Sequence, residues 1–195
     1  MNYWRFTVIG DKGSGKTTFC SRIAYGRYLT GPYFDDYSCD ISDSYRKDVD
    51  VDGKTFTVEL IKVSPHEELV YLLDSCLRCA QGFFLTYSIT DRTSFEVIDL
   101  MVEEILKVKD EDSVPMVLIG TKCDAEDKRQ VMKEEGLEVA EKYGIQFFET
   151  SAETGVNITE ALEALILLCE GDSVPNINDN NEKKHKHKKE KCLVQ

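Results

Sequence analysis

The sequence predicts an α/β protein in which helices cover both faces of a mixed six-stranded β-sheet. Patterns typical of buried strands and of amphipathic helices alternate along the chain. One pair of strand patterns is separated only by Asp52-Gly53, a dipeptide typical of a two-residue hairpin turn. Strands that are joined through helices pair in parallel, whereas a hairpin adds an antiparallel strand. These observations predict a largely parallel sheet with one antiparallel strand at its edge.

The individual elements follow from the hydrophobic periodicity. Strand patterns occupy residues 3–9, 44–51, 54–61, 82–88, 115–120 and 145–149. Helical patterns occupy residues 16–25, 67–79, 93–108, 133–143 and 158–169. From residue 171 the composition becomes polar, so we expect one compact domain over residues 1–170 and a disordered, lysine-rich tail over residues 171–195.

The charge is divided unequally between these two parts. The whole chain has a formal net charge of −12, but residues 182–195 hold six lysines and only two glutamates. This end of the tail is therefore +4 and the remainder −16, which disfavours binding to nucleic acid. Seven cysteines without a framework spacing predict reduced cytosolic thiols. We expect neither a membrane-spanning segment nor a secretory signal.

A phosphate-binding motif lies near the start of the chain. Residues 10–17 read Gly-Asp-Lys-Gly-Ser-Gly-Lys-Thr and match the pattern G-x-x-x-x-G-K-[ST] between a predicted strand and a predicted helix. The backbone N–H groups of such a loop, together with the helix N-terminus, form a concave anion site. Lys16 would reach the β and γ oxygens of a nucleotide, and the Thr17 hydroxyl is placed to ligate Mg²⁺. The candidate phosphate-binding residues are Gly13, Ser14, Gly15, Lys16, Thr17 and Thr18.

Two later loops predict which base is bound. They read Thr121-Lys122-Cys123-Asp124 and Glu149-Thr150-Ser151-Ala152, and each follows a predicted strand. The Asp124 carboxylate can accept the paired N1–H and N2–H donors of guanine, a pattern that adenine does not offer. The two loops resemble the guanine-reading loops of the Ras-like small GTPases, and residues 114–124 are especially similar to Ras itself. The resemblance covers residues 3 to about 170 and implies the P-loop small-GTPase fold with GTP or GDP as ligand.

The resemblance implies further contacts with the base and the ribose. The stem of Lys122 would lie along the base, the backbone N–H of Ala152 would donate to O6, and Tyr28 would stack near the ribose. Thr121 stands where Ras proteins usually have Asn, and it is the residue that Rho-type relatives use. The candidate base-site residues are Tyr28, Thr121, Lys122, Asp124, Ser151, Ala152 and Glu153.

The segment before the hairpin resembles the Ras effector segment. Residues 43–47 read Asp-Ser-Tyr-Arg-Lys, and the candidate effector residues are Ile41, Asp43 and Tyr45. The same alignment places Asp40 where the family has a Thr whose hydroxyl contacts Mg²⁺. Thr17 and Asp40 are therefore the candidate metal ligands.

The family pattern D-T-A-G-Q is replaced here by Lys62-Val63-Ser64-Pro65-His66. The family Asp orients Mg²⁺ through water, which the cation Lys62 does not do, and Pro65 has no N–H for the γ-phosphate. His66 stands in place of the Gln that orients the attacking water, and it is the candidate catalytic residue.

A further departure from the family pattern lies in the phosphate loop itself. Lys12 adds a long side chain where Ras has Gly, in the space that an incoming catalytic arginine would use. These departures predict a guanine-nucleotide-binding protein with weak or absent GTP hydrolysis. Two alternatives stay open. In one, Lys62 pairs with Asp40 and a conventional GTPase switch works through His66; in the other, the chain is a nucleotide-independent adaptor.

The last four residues, Cys192-Leu193-Val194-Gln195, fit a prenylation box. Gln at the final position favours a farnesyl group on Cys192, followed in the family by removal of the last three residues and methylation. One prenyl chain gives only marginal attachment, and the preceding lysines would supply the second signal. We expect a signalling protein at the cytoplasmic face of the plasma membrane or of endomembranes, where it would bind effector or regulatory proteins.

Overall fold

A single mixed sheet forms the centre of the computed structural model, which describes residues 2–28, 44–63 and 70–171, the last with side chains from residue 73. Within these ranges, six strands are ordered β2-β3-β1-β4-β5-β6. They are β1 (Asn2–Gly10), β2 (Ser44–Val51), β3 (Lys54–Val63), β4 (Gly82–Ser88), β5 (Met116–Thr121) and β6 (Gln146–Glu149). Only the pairing of β2 with β3 is antiparallel, so the predicted mixed sheet with an antiparallel edge strand is confirmed.

Helices cover both faces of the sheet, as predicted. They are α1 (Lys16–Tyr25), α2 (Val70–Cys79), α3 (Arg92–Glu96), α4 (Ile98–Lys109), α5 (Lys133–Tyr143) and α6 (Ile158–Glu170). Phe19 of α1 and Leu165 of α6 belong to the core on one face of the sheet. Leu77 of α2, Ile105 of α4 and Ala140 of α5 belong to the core on the other face. Because helices lie on both sides, every residue of β4 and β5 is buried.

The hairpin between β2 and β3 turns at Asp52 and Gly53, whose φ angles of 48° and 75° both lie in the left-handed region. Such a turn matches the twist of the two strands and fixes their register, with Val51 opposite Lys54. Tyr45 therefore points into the core beside α1, whereas Arg46 is exposed on the opposite side of β2.

A buried carboxylate joins the three strands at this end of the sheet. Glu59 of β3 is only 3% exposed and accepts hydrogen bonds from Arg5 of β1 (2.8 Å), Arg46 of β2 (2.8 Å) and the Tyr3 hydroxyl. Burial raises the pKa of the Glu59 carboxyl, but these hydrogen bonds outweigh it and lower the pKa to about 2. The ionised carboxylate is therefore the form that stabilises the fold.

The prediction of one helix over residues 93–108 is wrong in one respect. Two helices, α3 and α4, occupy this part of the chain, and they are separated at Val97. The Asp91 side chain caps α3 by accepting a hydrogen bond from the Thr93 N–H (3.1 Å). The Ser94 hydroxyl accepts one from the Ser88 N–H (2.9 Å). These bonds tie α3 to the end of β4, while α4 follows its own apolar face. Neither Gly nor Pro marks the break in the sequence.

Two further boundaries concern the candidate site. β3 continues two residues beyond its predicted end, to Val63, so Lys62 lies within the strand and not in a loop. The helix expected from residue 67 is described only from Val70, and its predicted beginning lies outside the described residues. Among the helices of the described ranges, none has the length and apolarity needed to cross a membrane.

Candidate functional site

The phosphate loop, residues 10–17, connects β1 to α1 in a space too narrow for a side chain at Gly10. A Cβ at Gly10 would lie 2.2 Å from the Thr86 hydroxyl oxygen and 2.5 Å from that of Ser14. Gly13 and Gly15 have φ angles of 80° and 89°, which L-residues rarely adopt. The motif therefore needs these glycines for close packing and for a left-handed backbone.

Lys16 folds back over the same loop. Its ammonium group donates hydrogen bonds to the carbonyl oxygens of Gly10 (2.9 Å) and Asp11 (2.8 Å). The positive charge thus lies beside the concave side of the loop, where a phosphate would bind. Lys12, by contrast, has an exposed side chain.

Buried hydroxyl groups hold the loop against the ends of two strands. Ser14 is fully buried, and its hydroxyl lies 3.1 Å from that of Thr86 in β4. The Thr121 hydroxyl, at the end of β5, lies 2.7 Å from the Ser14 carbonyl and 3.0 Å from the Tyr87 carbonyl. Thr86 was missed by the sequence reasoning, since a threonine inside an apolar strand carries no motif signal.

Lys122 extends this junction toward the predicted base site. Its ammonium donates to the Gly13 carbonyl (2.9 Å), and its backbone has a φ of 63°. Lys122 is an ordinary L-residue held in the left-handed region, a conformation that persists only where the surroundings impose it. Asp124 follows two residues later with an exposed side chain, which leaves its carboxylate accessible to a ligand.

The two predicted base loops lie against each other. The Cys123 N–H donates to the Thr150 carbonyl (3.1 Å), so the loop after β5 is joined to the loop after β6. Ser151 is fully buried, and its hydroxyl accepts from the Thr154 N–H (3.0 Å). Ala152 is half-buried beside it, and Glu153 is exposed.

Two side chains outside the motifs support these base loops. Arg129 bridges Glu126 (2.7 Å) and Glu149 (2.6 Å), and the Asn157 amide donates to the Glu149 carbonyl (2.7 Å). The pair of Arg129 with Glu126 is local, three residues apart, whereas the contacts of Arg129 and Asn157 with Glu149 span 20 and 8 residues. They fix the loop that carries Ser151 and Ala152.

The remaining candidates at α1 lie at its two ends. The Thr18 hydroxyl donates to the Gly15 carbonyl (2.9 Å) within the first turn, and Thr17 is half-buried next to it. Tyr28 follows the end of α1 and is 40% exposed.

Tyr45 of β2, a candidate effector residue, is only 9% exposed and packs edge-on against Tyr25 at a distance of 6.2 Å between the ring centres.

Several candidate residues lie outside the described residues. They are Asp40, Ile41, Asp43, Pro65, His66 and Cys192. Their roles in metal binding, effector binding, catalysis and lipidation stay predictions.

The family implies Mg²⁺ beside the nucleotide, and the described residues offer few ligands for it. Thr17 supplies a hydroxyl at the start of α1, but the carboxylate expected at the end of β3 is replaced by Lys62, which is 6% exposed. In the described part of the chain, no group of three or more His, Cys, Asp or Glu side chains is placed so that it could hold a metal ion. The Thr17 hydroxyl could therefore contribute one ligand to Mg²⁺, while Asp40, the other candidate ligand, lies outside the described residues.

Comparison with known proteins agrees with this geometry. A sequence model of the Ras family matches residues 5–170. The Ras-like protein rasB of Dictyostelium discoideum is 35% identical over 159 residues, which cover 82% of this chain and 78% of that relative. The matched range contains the phosphate loop and both predicted base loops, on the mixed six-stranded sheet described above. The chain belongs to the Ras family.

Proposed function

We propose that this member of the Ras family binds GTP and GDP, hydrolyses GTP slowly or not at all, and acts as a membrane-attached signalling protein. The nucleotide part is supported by the contacts between the phosphate loop and the Thr121-Lys122 segment, at 2.7 Å to Ser14 and 2.9 Å to Gly13. These contacts join the predicted phosphate site to the loop that carries Asp124. A ligand with both phosphates and guanine would therefore contact two loops that are hydrogen-bonded to each other.

Replacing Asp124 by Asn tests the base site. The amide alters the acceptor pattern that faces N1 and N2 of guanine, so affinity for GDP should fall by roughly 30- to 150-fold, or about 2–3 kcal/mol. Binding of xanthosine diphosphate should improve, since its base presents the complementary pattern. Equilibrium titration with fluorescent GDP and xanthosine diphosphate measures both changes.

Asp127→Asn is the matched control, because it makes the same substitution at an exposed acid three residues further along. It should leave both affinities unchanged. Equal GDP affinity in wild type and Asp124→Asn would contradict the base-site assignment. If wild type binds no guanine nucleotide, the nucleotide-independent adaptor becomes the better description.

Weak hydrolysis is proposed from four positions around the γ-phosphate. Lys12 is an exposed long side chain on the phosphate loop, and Lys62 is a buried cation at the end of β3. Pro65 and His66 replace the backbone donor and the water-orienting Gln of the family pattern.

Single-turnover assays with radiolabelled GTP measure the rate of GTP hydrolysis directly. A readily measurable rate that falls in His66→Ala would overturn this part and make His66 catalytic.

Membrane attachment is proposed from the end of the sequence. Cys192 opens a prenylation box, and six lysines precede it between residues 183 and 191. A prenyl chain and a basic segment together give the two signals that stable attachment needs. Each lysine contributes up to about 1 kcal/mol near an anionic leaflet.

The signalling role would use the exposed edge of the sheet. β2 is the outermost strand beside β3, and its side chains Ser44 and Arg46 are exposed. Tyr45 contributes little accessible surface, since its ring is covered by the core. We therefore propose that effector or regulatory proteins contact the outward side chains of β2, together with Asp43.

A further inference from the structure

A cavity of about 200 Å³ lies where the end of α1, the strand β2 and the start of α6 meet. Its apolar wall is formed by side chains that belong to the core on this face of the sheet or pack against it: Ile23, Val49, Ile158 and Leu162. Two cations, Arg22 of α1 and Lys47 of β2, line the same cavity. Among the described residues that line it, none is acidic. The cavity thus combines an apolar wall with unbalanced positive charge.

Lys47 reaches the cavity across the end of α1. Tyr45 of β2 packs against Tyr25 of α1, and alternate side chains of a strand share a side, so Lys47 also points toward α1. Its ammonium donates a hydrogen bond to the Ile23 carbonyl (2.9 Å) in the last turn of that helix. An ammonium has three N–H donors, and this bond uses one of them.

The Arg22 guanidinium occupies a space that exists because residue 155 is glycine. A Cβ at Gly155 would lie 2.5 Å from an outer nitrogen of Arg22. The Arg22 side chain is half-buried, and within the described ranges it makes neither a hydrogen bond nor an ion pair. A guanidinium has five N–H donors in a planar fork that matches a carboxylate. Arg22 therefore offers this donor set to a ligand from outside the domain.

Exposed apolar side chains lie next to residues that line the cavity. Tyr25, which precedes Gly26, is 59% exposed, and Val156, which follows Gly155, is 47% exposed. Arginine and tyrosine are enriched at protein–protein interfaces, where they supply much of the binding energy. An arginine that has no acceptor in its own domain, beside an exposed tyrosine, is typical of such an interface.

We propose that this cavity binds an acidic segment of a partner protein. A carboxylate of that segment pairs with Arg22 and Lys47, and a neighbouring apolar side chain packs against Ile158 and Leu162. This surface lies on the opposite side of β2 from Ser44 and Arg46, so it is distinct from the outward face assigned above to effector proteins. The inference goes beyond the proposed function and does not depend on nucleotide binding.

The test uses NMR spectra of the ¹⁵N-labelled full chain during titration with a short peptide of alternating Glu and Leu. The peptide should bind saturably at millimolar concentration and shift the backbone amides of residues 22–26, 47–49 and 155–159. A peptide of alternating Gln and Leu should bind at least about fivefold more weakly, because it lacks the charge. Arg22→Gln should weaken binding of the Glu peptide by about tenfold.

Lys133→Gln is the matched control, because it removes one positive charge at the exposed start of α5. It should bind the Glu peptide as wild type does. Equal affinity of wild type and Arg22→Gln, or of the two peptides, would contradict the inference, as would the absence of saturable shifts.

An anionic lipid is the other ligand to compare. Bicelles containing phosphatidylserine that shift the same amides, where the Glu peptide does not, would overturn the inference in favour of a lipid headgroup. If Arg22→Gln does not fold, as judged by circular dichroism, Lys47→Gln serves instead. Loss of peptide affinity in that variant supports the inference, and an unchanged affinity contradicts it.

Discussion

Replacing Thr121 by Val removes the hydroxyl that joins β5 to the phosphate loop and keeps the branched shape of the side chain. Thr121 is 5% exposed, and its hydroxyl lies 2.7 Å from the Ser14 carbonyl and 3.0 Å from the Tyr87 carbonyl. A hydroxyl donates one hydrogen at a time, but its loss leaves two buried carbonyls without this partner. We expect a loss of about 1–3 kcal/mol in the free energy of unfolding. For a domain of this size, that lowers the melting temperature by roughly 3–10 °C.

Equilibrium urea unfolding without added nucleotide, followed by circular dichroism, measures this difference, because bound GDP would add its own contribution to stability. GDP affinity should fall in the same variant, since the Ser14 carbonyl is no longer held in place. Thr55→Val is the control, because its hydroxyl bonds the Asp50 carboxylate (2.6 Å) on the exposed side of the hairpin. Water replaces that bond, so the control should change stability by less than about 0.5 kcal/mol. A similarly small change in Thr121→Val would refute the reasoning.

Two further predictions concern pH and localisation. The pKa of Glu59 in the fold, about 2, is below its ordinary 4.5, so its ionised form contributes stability above pH 4.5 that is lost as the pH falls toward 2. Glu59→Gln should therefore remove up to about 3 kcal/mol at pH 7 and flatten the acid limb of a pH series of urea unfolding curves, whereas parallel curves would contradict this. A tagged Cys192→Ser protein should move from the membrane to the soluble fraction on cell fractionation, and charge reversal of the lysines should move the protein from plasma membrane to internal membranes. If Cys192→Ser stays on the membrane, a protein partner holds it there.

The order of strands and helices was predictable because each element carries a clear period. Alternation with period two around Asp52-Gly53 predicts the hairpin, and the apolar runs predict the central strands. The break at Val97 was not predictable, since it depends on Ser94 reaching the end of β4. The extension of β3 through Lys62 was also missed, because a lysine normally argues against a buried strand position.

In the candidate site, too, local sequence motifs were predictable, whereas contacts between residues distant in the sequence were not. The phosphate loop and the Asp124 loop have spacings that follow from ligand chemistry, and the structure brings them together through Thr121 and Lys122. Whether they bind nucleotide stays a prediction for the titrations above. Thr86 and Arg129 support the site through contacts made only after the chain folds, so their residue types alone carry no signal.

The left-handed turn at Asp52 and Gly53 has a consequence at the opposite end of β2. A slip of one residue in the pairing would exchange the two sides of this strand, so that Tyr45 would leave the core and Arg46 would enter it. The turn forbids that slip, although it lies about 25 Å from Ser44 along the strand. Asp52 and Gly53 thus decide which side chains β2 presents to a partner, although they need not contact that partner themselves. A substitution at one outward position of β2 then leaves the register of the strand unchanged. The other outward side chains therefore keep their positions for a partner.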